Sequence, residues 1–191
     1  MFIEVLIGNK FDKNALKILK KKKNIRLIDA SDYTNIKKLK HISTNNSILF
    51  QSEDLKKFTT KDFKVVSKRK PSKKEMKNLI FAFNICRYVK SNAIVIAANE
   101  TTVGIGSGQP SRLDSCNIAI NKMKKLITIN ESLVAASDAF FPFVDGIERL
   151  IQSGVRAVVQ PSGSIRDKEI IRFANKTDTV LVFSKTRHFR H

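Results

Sequence analysis

The sequence has 191 residues, 42% of them hydrophobic, and its 36 lysines and arginines against 17 aspartates and glutamates give a formal net charge of +19. A chain of this length and apolar content can bury a core, as one domain or as two closely joined lobes, so a disordered or fibrous chain is excluded. No apolar run approaches the ~18 residues of a membrane span, and MFIEVLIG is too short for a signal peptide, so we expect a soluble, cytoplasmic protein.

The excess of basic residues allows two interpretations. A strongly basic chain ordinarily suggests nucleic acid or an anionic membrane as its partner. Lysine, asparagine, isoleucine and phenylalanine are all abundant here, which is typical of a protein encoded by an AT-rich genome, where surface positions drift toward A- and T-rich codons. We favour the bias and expect neither nucleic acid nor membrane, although a basic nucleotide- or RNA-binding module stays open as an alternative.

The two cysteines are predicted to be buried thiols. Cys86 and Cys116 each lie within a helical pattern, and no CxxC or Cys/His spacing indicates zinc or a disulfide framework. We therefore expect no metal site.

The N-terminal segment predicts an α/β unit with parallel strand pairing. A strand over Phe2–Ile7, a helix capped by Asp12 and a strand over Ile25–Ile28 follow one another. A strand, a helix and a strand in this order favour a parallel pair. The next segment, Asp32–Asn46, is basic and is predicted to be irregular, with His41 as a solvated loop histidine.

A long helix is predicted before residue 91. Short strands over Ser47–Gln51 and Phe63–Val66 precede it. Ser72 followed three residues later by Glu75 forms a capping box, which predicts the N-terminus of this helix. Its apolar stripe continues to Lys90 with helical spacing.

A tight β-hairpin is predicted next, with strands over Ala93–Ala98 and Thr102–Ile105 joined by a turn. The glycines of VGIGSG are interpreted as a loop that runs into a helix N-terminus. Backbone N–H groups at such a junction favour an anion, and Arg112 in the first turn adds a forked donor. GxGxG alone is more often a plain turn, so this motif is weak evidence for a ligand.

The rest of the chain predicts further β-loop-α steps, with helices over Ile147–Ile151 and Asp167–Phe173. The strands of these steps are predicted over Leu133–Ala136, Val155–Val159 and Val180–Phe183. Three loops, SGQPSR, SDAFFPFVD and QPSGS, follow strand ends, where ligands bind in open α/β sheets. Ser111 and Ser137 lack a nucleophile elbow. These patterns predict a ligand pocket without specifying a reaction.

The residue sequences of several segments resemble those of a known family. The segments SNAIVIAANETTVGIGSGQPSRLDS, ASDAFFPFVDGIERLIQSGVRAVVQPSGSIRDKEII and TRHFRH together resemble the transformylase domain of the bifunctional purine biosynthesis proteins. That family joins phosphoribosylaminoimidazolecarboxamide formyltransferase to IMP cyclohydrolase. The resemblance implies an α/β fold, a cytidine-deaminase-like layered sheet with helices on both faces. It also implies an α/β segment over 1–90 and a C-terminal subdomain over 91–191, with a soft boundary.

The resemblance also implies a reaction. In the family, a formyl group passes from the cosubstrate 10-formyltetrahydrofolate to the amine of aminoimidazole carboxamide ribotide, without metal, at a homodimer interface. A lysine–histidine pair supplies the base and the oxyanion stabiliser, and we expect that pair and the cyclohydrolase domain to lie outside this chain. His41 follows a lysine, but ISTNN comes next instead of the family's proline-and-glycine loop, so we interpret this dipeptide as a chance match.

The resemblance assigns roles to ten positions. The residues implied to bind the ribotide are Asn92, Arg112 and Arg187; those implied to be catalytic are Asn92 and His191; those implied to bind the folate are Leu113, Phe140, Phe143, Asp145, Ile165 and Arg166.

Two positions depart from the family pattern. Pro110 stands where the family usually has Met or Gln, and Val144 replaces the arginine of FPFRD, which removes a cation beside the folate. We expect the C-terminal part of the formyltransferase, inactive alone. A noncatalytic remnant with a role only in assembly is a second alternative.

Overall fold

The computed structural model describes residues 3–32, 40–126 and 132–190. The chain divides into two compact units, Met1–Glu53 and Asp54–His191. This division differs from the soft boundary that the sequence places near Ser91. Helix α2, at Lys73–Cys86, packs on strands that follow residue 91, which joins residues 54–90 to the second unit.

The first unit begins with a strand, a helix and a parallel strand, as the sequence predicts. Strand β1 spans Val5–Gly8, helix α1 spans Lys13–Leu19 and strand β2 spans Arg26–Asp29. The strands pair in parallel. The Asp12 carboxylate accepts the N–H of Ala15 at 2.7 Å, which confirms the predicted cap.

A β-hairpin follows in the first unit, where the sequence predicts an irregular segment. Strand β3, at Lys40–Ser43, pairs antiparallel with β4, at Ile48–Gln51. The prediction was therefore wrong for this part; residues 33–39 lie outside the described residues. Thr44 closes the turn, because its N–H and its hydroxyl both donate to the carbonyl of Ser47. His41 is thus an exposed strand residue.

The second unit is built on a mixed six-stranded sheet in the order β5-β10-β9-β8-β6-β7. Strands β8, β9 and β10 run parallel, β5 is antiparallel to β10, and β6 is antiparallel to both β7 and β8. The strands span Phe63–Val65 (β5), Ile94–Ala98 (β6), Thr101–Gly106 (β7), Leu133–Ser137 (β8), Val155–Pro161 (β9) and Val180–Ser184 (β10).

Helices cover both faces of this sheet. Helix α2 packs on one face; on the other lie α3 at Arg112–Lys124, α4 at Val144–Gln152 and α5 at Asp167–Lys176. Strand β6 shows the alternation, because Ile94 and Ile96 enter one core and Val95 and Ala97 the other. The mixed α/β class is thereby confirmed.

The long helix starts as predicted. Ser72 Oγ accepts the N–H of Glu75, and the Glu75 carboxylate accepts the N–H of Ser72. Together these bonds satisfy N–H groups that have no partner inside the helix. Cys86 and Cys116 are buried free thiols, as expected.

Two of the glycines interpreted as a loop are packing residues of β7. A Cβ at Gly106 would lie 1.9 Å from the Ser115 carbonyl oxygen, and one at Gly104 would lie 2.1 Å from that of Ala119. Helix α3 therefore lies directly against the strand. Gly108, with φ +69°, is in the loop.

The strand directions bring several loops to one edge of the sheet. Strands β8, β9 and β10 end there, β6 starts there because it is antiparallel to β8, and β7 ends there because it is antiparallel to β6. Among the described residues, no helix is long and apolar enough to cross a membrane.

Candidate functional site

A cavity of about 460 Å³ opens at this edge of the sheet. The segment before β6, the start of α3, the loop between β8 and α4, the first turn of α4 and the C-terminal tail all contribute to its wall. The lining residues are Asn92, Pro110, Ser111, Arg112, Leu113, Ala139, Phe140, Phe141, Pro142, Phe143, Asp145, Gly146, Arg187 and Phe189.

Arg112, which lines the cavity, is held by two hydrogen bonds. Its Nη1 donates to the Asp138 carboxylate at 2.9 Å, and its Nε donates to the carbonyl of Phe140 at 3.2 Å. The side chains of Arg112 and Asp138 are 9% and 0% exposed, so they form a buried ion pair. Burial lowers the pKa of Arg112, and the negative charge of Asp138 opposes this shift.

Asn92 presents an acceptor. Its side-chain Nδ2 donates to the backbone carbonyls of Gln109 at 2.8 Å and Pro110 at 3.0 Å. Its backbone carbonyl accepts the hydroxyl of Ser115. These bonds fix the amide, while its Oδ1 has no hydrogen-bond partner among residues 3–32, 40–126 and 132–190. The free oxygen can accept a hydrogen bond from an amine or amide of a ligand.

Two arginines lie over the aromatic rings of the β8–α4 loop. The guanidinium of Arg187 is 4.7 Å from the Phe140 ring centroid, and that of Arg166 is 4.7 Å from the Phe143 ring centroid. Each contact stabilises its pair by about 0.5–1 kcal/mol at an exposed position. Phe143 is 52% exposed. Such rings with cations above them suit a flat, anionic ligand.

Asp145 lies in the first turn of α4 and is exposed. Its Oδ1 accepts the N–H of Gly146 at 2.7 Å. Its Oδ2 has no partner within the described part of the chain. A carboxylate in this state can accept paired N–H groups from an aminopyrimidine edge.

The structure brings together most of the sequence-predicted residues. Ile165 is 100% exposed and does not line the cavity. Arg166 does not line the cavity either, but its guanidinium lies over the ring of Phe143, which does. His191 lies outside the described residues. The predicted positions that line the cavity are Asn92, Arg112, Leu113, Phe140, Phe143, Asp145 and Arg187.

The QPSGS loop does not line the cavity, although the sequence predicts that three loops converge. The side chain of Asp167 accepts the N–H groups of Gly163 and Ser164, which closes this loop on the start of α5. The tail takes the place of the third loop through Arg187 and Phe189.

Sequence reasoning missed three residues around the cavity. Asp138 anchors Arg112, Phe189 lines the cavity, and His188 is buried beside Asp138, to which its backbone N–H donates. The available signal was the alternation in RHF, because neighbouring residues of an extended segment point to opposite sides. Arg187 and Phe189 accordingly line the cavity, whereas His188 is 1% exposed.

His188 lies in an aromatic box. Its ring contacts those of Phe58 and Phe83, with centroids 5.2 Å and 4.5 Å away, and its Nδ1 is bonded to the Asp54 carboxylate. Burial lowers the pKa of His188, against the raising effect of Asp54. Its backbone N–H donates to the carbonyl of Asp138 at 2.9 Å, which fixes the tail beside the cavity.

The cavity offers binding groups more than proton-transfer groups. Among the described residues that line it, none is a lysine or a histidine. Burial raises the pKa of the nearby Cys116 thiol to about 12, so this thiol is not a nucleophile at neutral pH. In the described ranges, no three His, Cys, Asp or Glu side chains are grouped to hold a metal ion.

Comparison with known proteins identifies the family. The model of the AICARFT/IMPCHase bienzyme family matches residues 1–122. The chain belongs to this family. Relatives named bifunctional purine biosynthesis protein PurH are 44% identical in Buchnera aphidicola subsp. Schizaphis graminum, 43% in Lactobacillus acidophilus and 42% in Persephonella marina.

The PurH relatives are much longer than this chain. Each alignment covers 100% of the chain and 36% or 37% of the relative. The family predicted from the sequence motifs is confirmed, and the relatives extend the match past residue 122 to the tail that carries Arg187. The cavity therefore lies in a segment for which the PurH relatives provide a counterpart.

Proposed function

We propose that this chain is the C-terminal part of a formyltransferase of purine synthesis and binds aminoimidazole carboxamide ribotide and 10-formyltetrahydrofolate. The observation that carries the proposal is one cavity lined by Arg112, Arg187 and Asn92 on one part of its wall and by Phe143 and Asp145 on another. Family membership supports the same assignment.

The ribotide side of the proposal rests on charge. Arg187 is exposed at the cavity and can form a forked pair with the ribotide phosphate. Arg112 adds a second cation that is already fixed. The Oδ1 of Asn92 suits the N–H groups of the amine or of the carboxamide.

The folate side rests on shape and on one carboxylate. The exposed ring of Phe143 suits a flat pterin, and the free Oδ2 of Asp145 suits its aminopyrimidine edge. Arg166 lies over Phe143 and provides a cation near the position where Val144 replaces the family's arginine. The bound folate would supply the formyl group, and the residues of this chain would bind and orient it.

Proton transfer is assigned outside this chain. The amine of the ribotide is conjugated with the carboxamide and is a weak nucleophile, so its reaction requires a base and an oxyanion stabiliser. Neither lysine nor histidine is found among the described cavity-lining residues. We propose that the rest of the family protein supplies both groups and the cyclohydrolase activity.

Further expectations come from the resemblance alone. They are a cytidine-deaminase-like arrangement with a soft domain boundary near Ser91, a homodimer in the intact family protein, and a cytoplasmic location. His191 as a catalytic residue and Ile165 as a folate contact belong to the same group.

The proposal is tested by calorimetric titration of the ribotide into the chain and into Arg187→Ala. Losing a charged hydrogen bond of about 1.5–3 kcal/mol should weaken binding about 10- to 100-fold. Arg190→Ala is the matched control, because Arg190 is an exposed arginine of the same tail outside the cavity. Equal affinity of all three proteins would contradict the proposal.

The net charge of +19 favours a second candidate, a basic module that binds RNA. It predicts binding of unrelated single-stranded RNA that weakens steeply as salt rises, and equal weakening by Arg187→Ala and Arg190→Ala. The ribotide site predicts different effects of the two substitutions.

A further inference from the structure

Asp138 is a buried carboxylate that links three parts of the cavity wall. It directly follows β8, and its side chain is 0% exposed. Oδ1 accepts Nη1 of Arg112, and Oδ2 accepts the hydroxyl of Ser91, the residue before Asn92. Its carbonyl accepts the N–H of His188 in the tail.

The bonds to Arg112 divide the guanidinium into a fixed side and a free side. Nη1 and Nε are held by Asp138 and by the Phe140 carbonyl, whereas Nη2 has no hydrogen-bond partner within the described residues. An arginine side chain has several rotatable bonds, and ordering it when a ligand binds loses conformational entropy. Here the hydrogen bonds of the fold have already ordered the side chain.

We propose that Asp138 is a positioning residue, whose carboxylate orients the Arg112 guanidinium so that Nη2 is ready for an anionic group of the ligand. The proposal rests on the ribotide site proposed above for its ligand. A merely structural role would instead affect the fold around β8 in general, and ligand affinity would follow stability whether or not Arg112 is present.

A double-mutant cycle separates these roles. Asp138→Asn keeps the side-chain shape and removes the charge. In the wild-type background it should weaken ribotide binding about 10-fold, within the range of coupling between groups in contact. In an Arg112→Ala background it should change the affinity less than about 2-fold, because the group that it orients is gone.

Ser91→Ala is the matched control for stability. It removes a hydrogen bond from the other oxygen of the same carboxylate and leaves the bond to Arg112 in place. We expect it to lower the melting temperature while changing the affinity less than about 3-fold. Weakening equal to that of Asp138→Asn, or an unchanged effect of Asp138→Asn in the Arg112→Ala background, overturns the proposal.

A ligand-free measurement tests the orientation itself. In nitrogen NMR of arginine side chains, the Nη groups of wild-type Arg112 should give separate, slowly exchanging signals, which should average in Asp138→Asn and stay separate in Ser91→Ala. Averaged signals in the wild-type protein would overturn the proposal even if Asp138→Asn failed to fold. Separate signals without ribotide binding would instead contradict the proposed function.

Discussion

At the scale of single residues, the cavity contains side chains that the fold holds and others that it leaves available. Arg112 and Asn92 are fixed by bonds to Asp138, Gln109 and Pro110. Fixed groups lose little entropy when a ligand binds. We therefore expect substitutions at the fixed residues to change both stability and affinity, and substitutions at the exposed ones to change affinity alone.

Asp145 offers a test of the second kind. Asp145→Asn keeps an oxygen that can accept the N–H of Gly146. It replaces the other carboxylate oxygen, the proposed acceptor of the pterin N–H groups, by an NH₂ group and removes the negative charge. We expect binding of a folate analogue to weaken by about 1.5–3 kcal/mol, with an unchanged melting temperature. Fluorescence titration with a folate analogue measures the affinity.

The control for Asp145 is Glu148→Gln, an exposed acid one turn later on α4 and outside the cavity. It should bind the analogue as the wild type does. Unchanged affinity in a folded Asp145→Asn protein would remove Asp145 from the site.

His188 makes stability depend on pH. Burial lowers its pKa from the ordinary 6.5, Arg87 lowers it further, and Asp54 and Asp138 oppose the shift. The unfolded chain therefore binds a proton below about pH 6.5 that the folded chain does not. The free energy of unfolding should be fully retained above pH 6.5 and fall as pH decreases, by at most ~1.4 kcal/mol per unit.

Urea unfolding between pH 5.5 and 7.5 measures this dependence. His188→Gln should flatten it, whereas His41→Gln, at an exposed strand position, should not. An equally steep dependence in His188→Gln would assign the effect to another group.

At the level of secondary-structure elements, helix α3 packs so closely on strand β7 that it leaves no room for a side chain at Gly104 or Gly106. A Cβ at Gly106 would lie 1.9 Å from a backbone carbonyl of α3, which cannot move without shifting the helix. Gly106→Ala should reduce the free energy of unfolding by about 1–3 kcal/mol or more, as overpacking does. Because α3 begins with Arg112, ribotide binding should weaken as well.

Gly108→Ala is the matched control in chemical unfolding measurements. Its Cβ would meet no atom closer than 3.7 Å, so the only cost is strain at φ +69°. We expect about 1 kcal/mol and normal ribotide binding. A larger loss for Gly108→Ala than for Gly106→Ala would contradict this account of the packing.

The predicted elements show what local patterns can reveal. Apolar runs and caps correctly predicted the strand at Ile94–Ala98 and the helix that starts after Ser72, because both signals are local. The hairpin strand at Lys40–Ser43 was missed, since Ile42 is its only aliphatic residue and the strand is defined by its pairing with β4. The β7 glycines were misread because they are required by the close packing of β7 on α3, and no local pattern shows how a helix packs on a strand.

The residues of the candidate site differ in the same way in how far the sequence predicts them. Family motifs point to residues such as Arg112 and Phe143, which the fold brings to one cavity. They do not point to Asp138, because its importance depends on a guanidinium 26 residues earlier in the chain and on the tail. Contacts of that range follow from the strand order and not from any local pattern.

At the scale of the whole molecule, the chain corresponds to 36% or 37% of the length of its PurH relatives. We propose that this part binds both ligands and that another part of the family protein provides proton transfer. Lacking a general base typically costs ~10²- to 10⁴-fold in rate, and lacking an oxyanion donor ~10²- to 10³-fold. The two deficits together should reduce turnover below detection.

An assay of formyl transfer from 10-formyltetrahydrofolate to the ribotide tests directly whether this chain binds the ligands without supplying proton transfer. We predict no detectable turnover by this chain alone. Turnover should appear on addition of the separately expressed remainder of the transformylase domain of the Buchnera relative, and it should fall when this chain carries Arg187→Ala but not Arg190→Ala. Robust turnover by the chain alone, or equal restoration by the Arg187→Ala chain, would contradict the account.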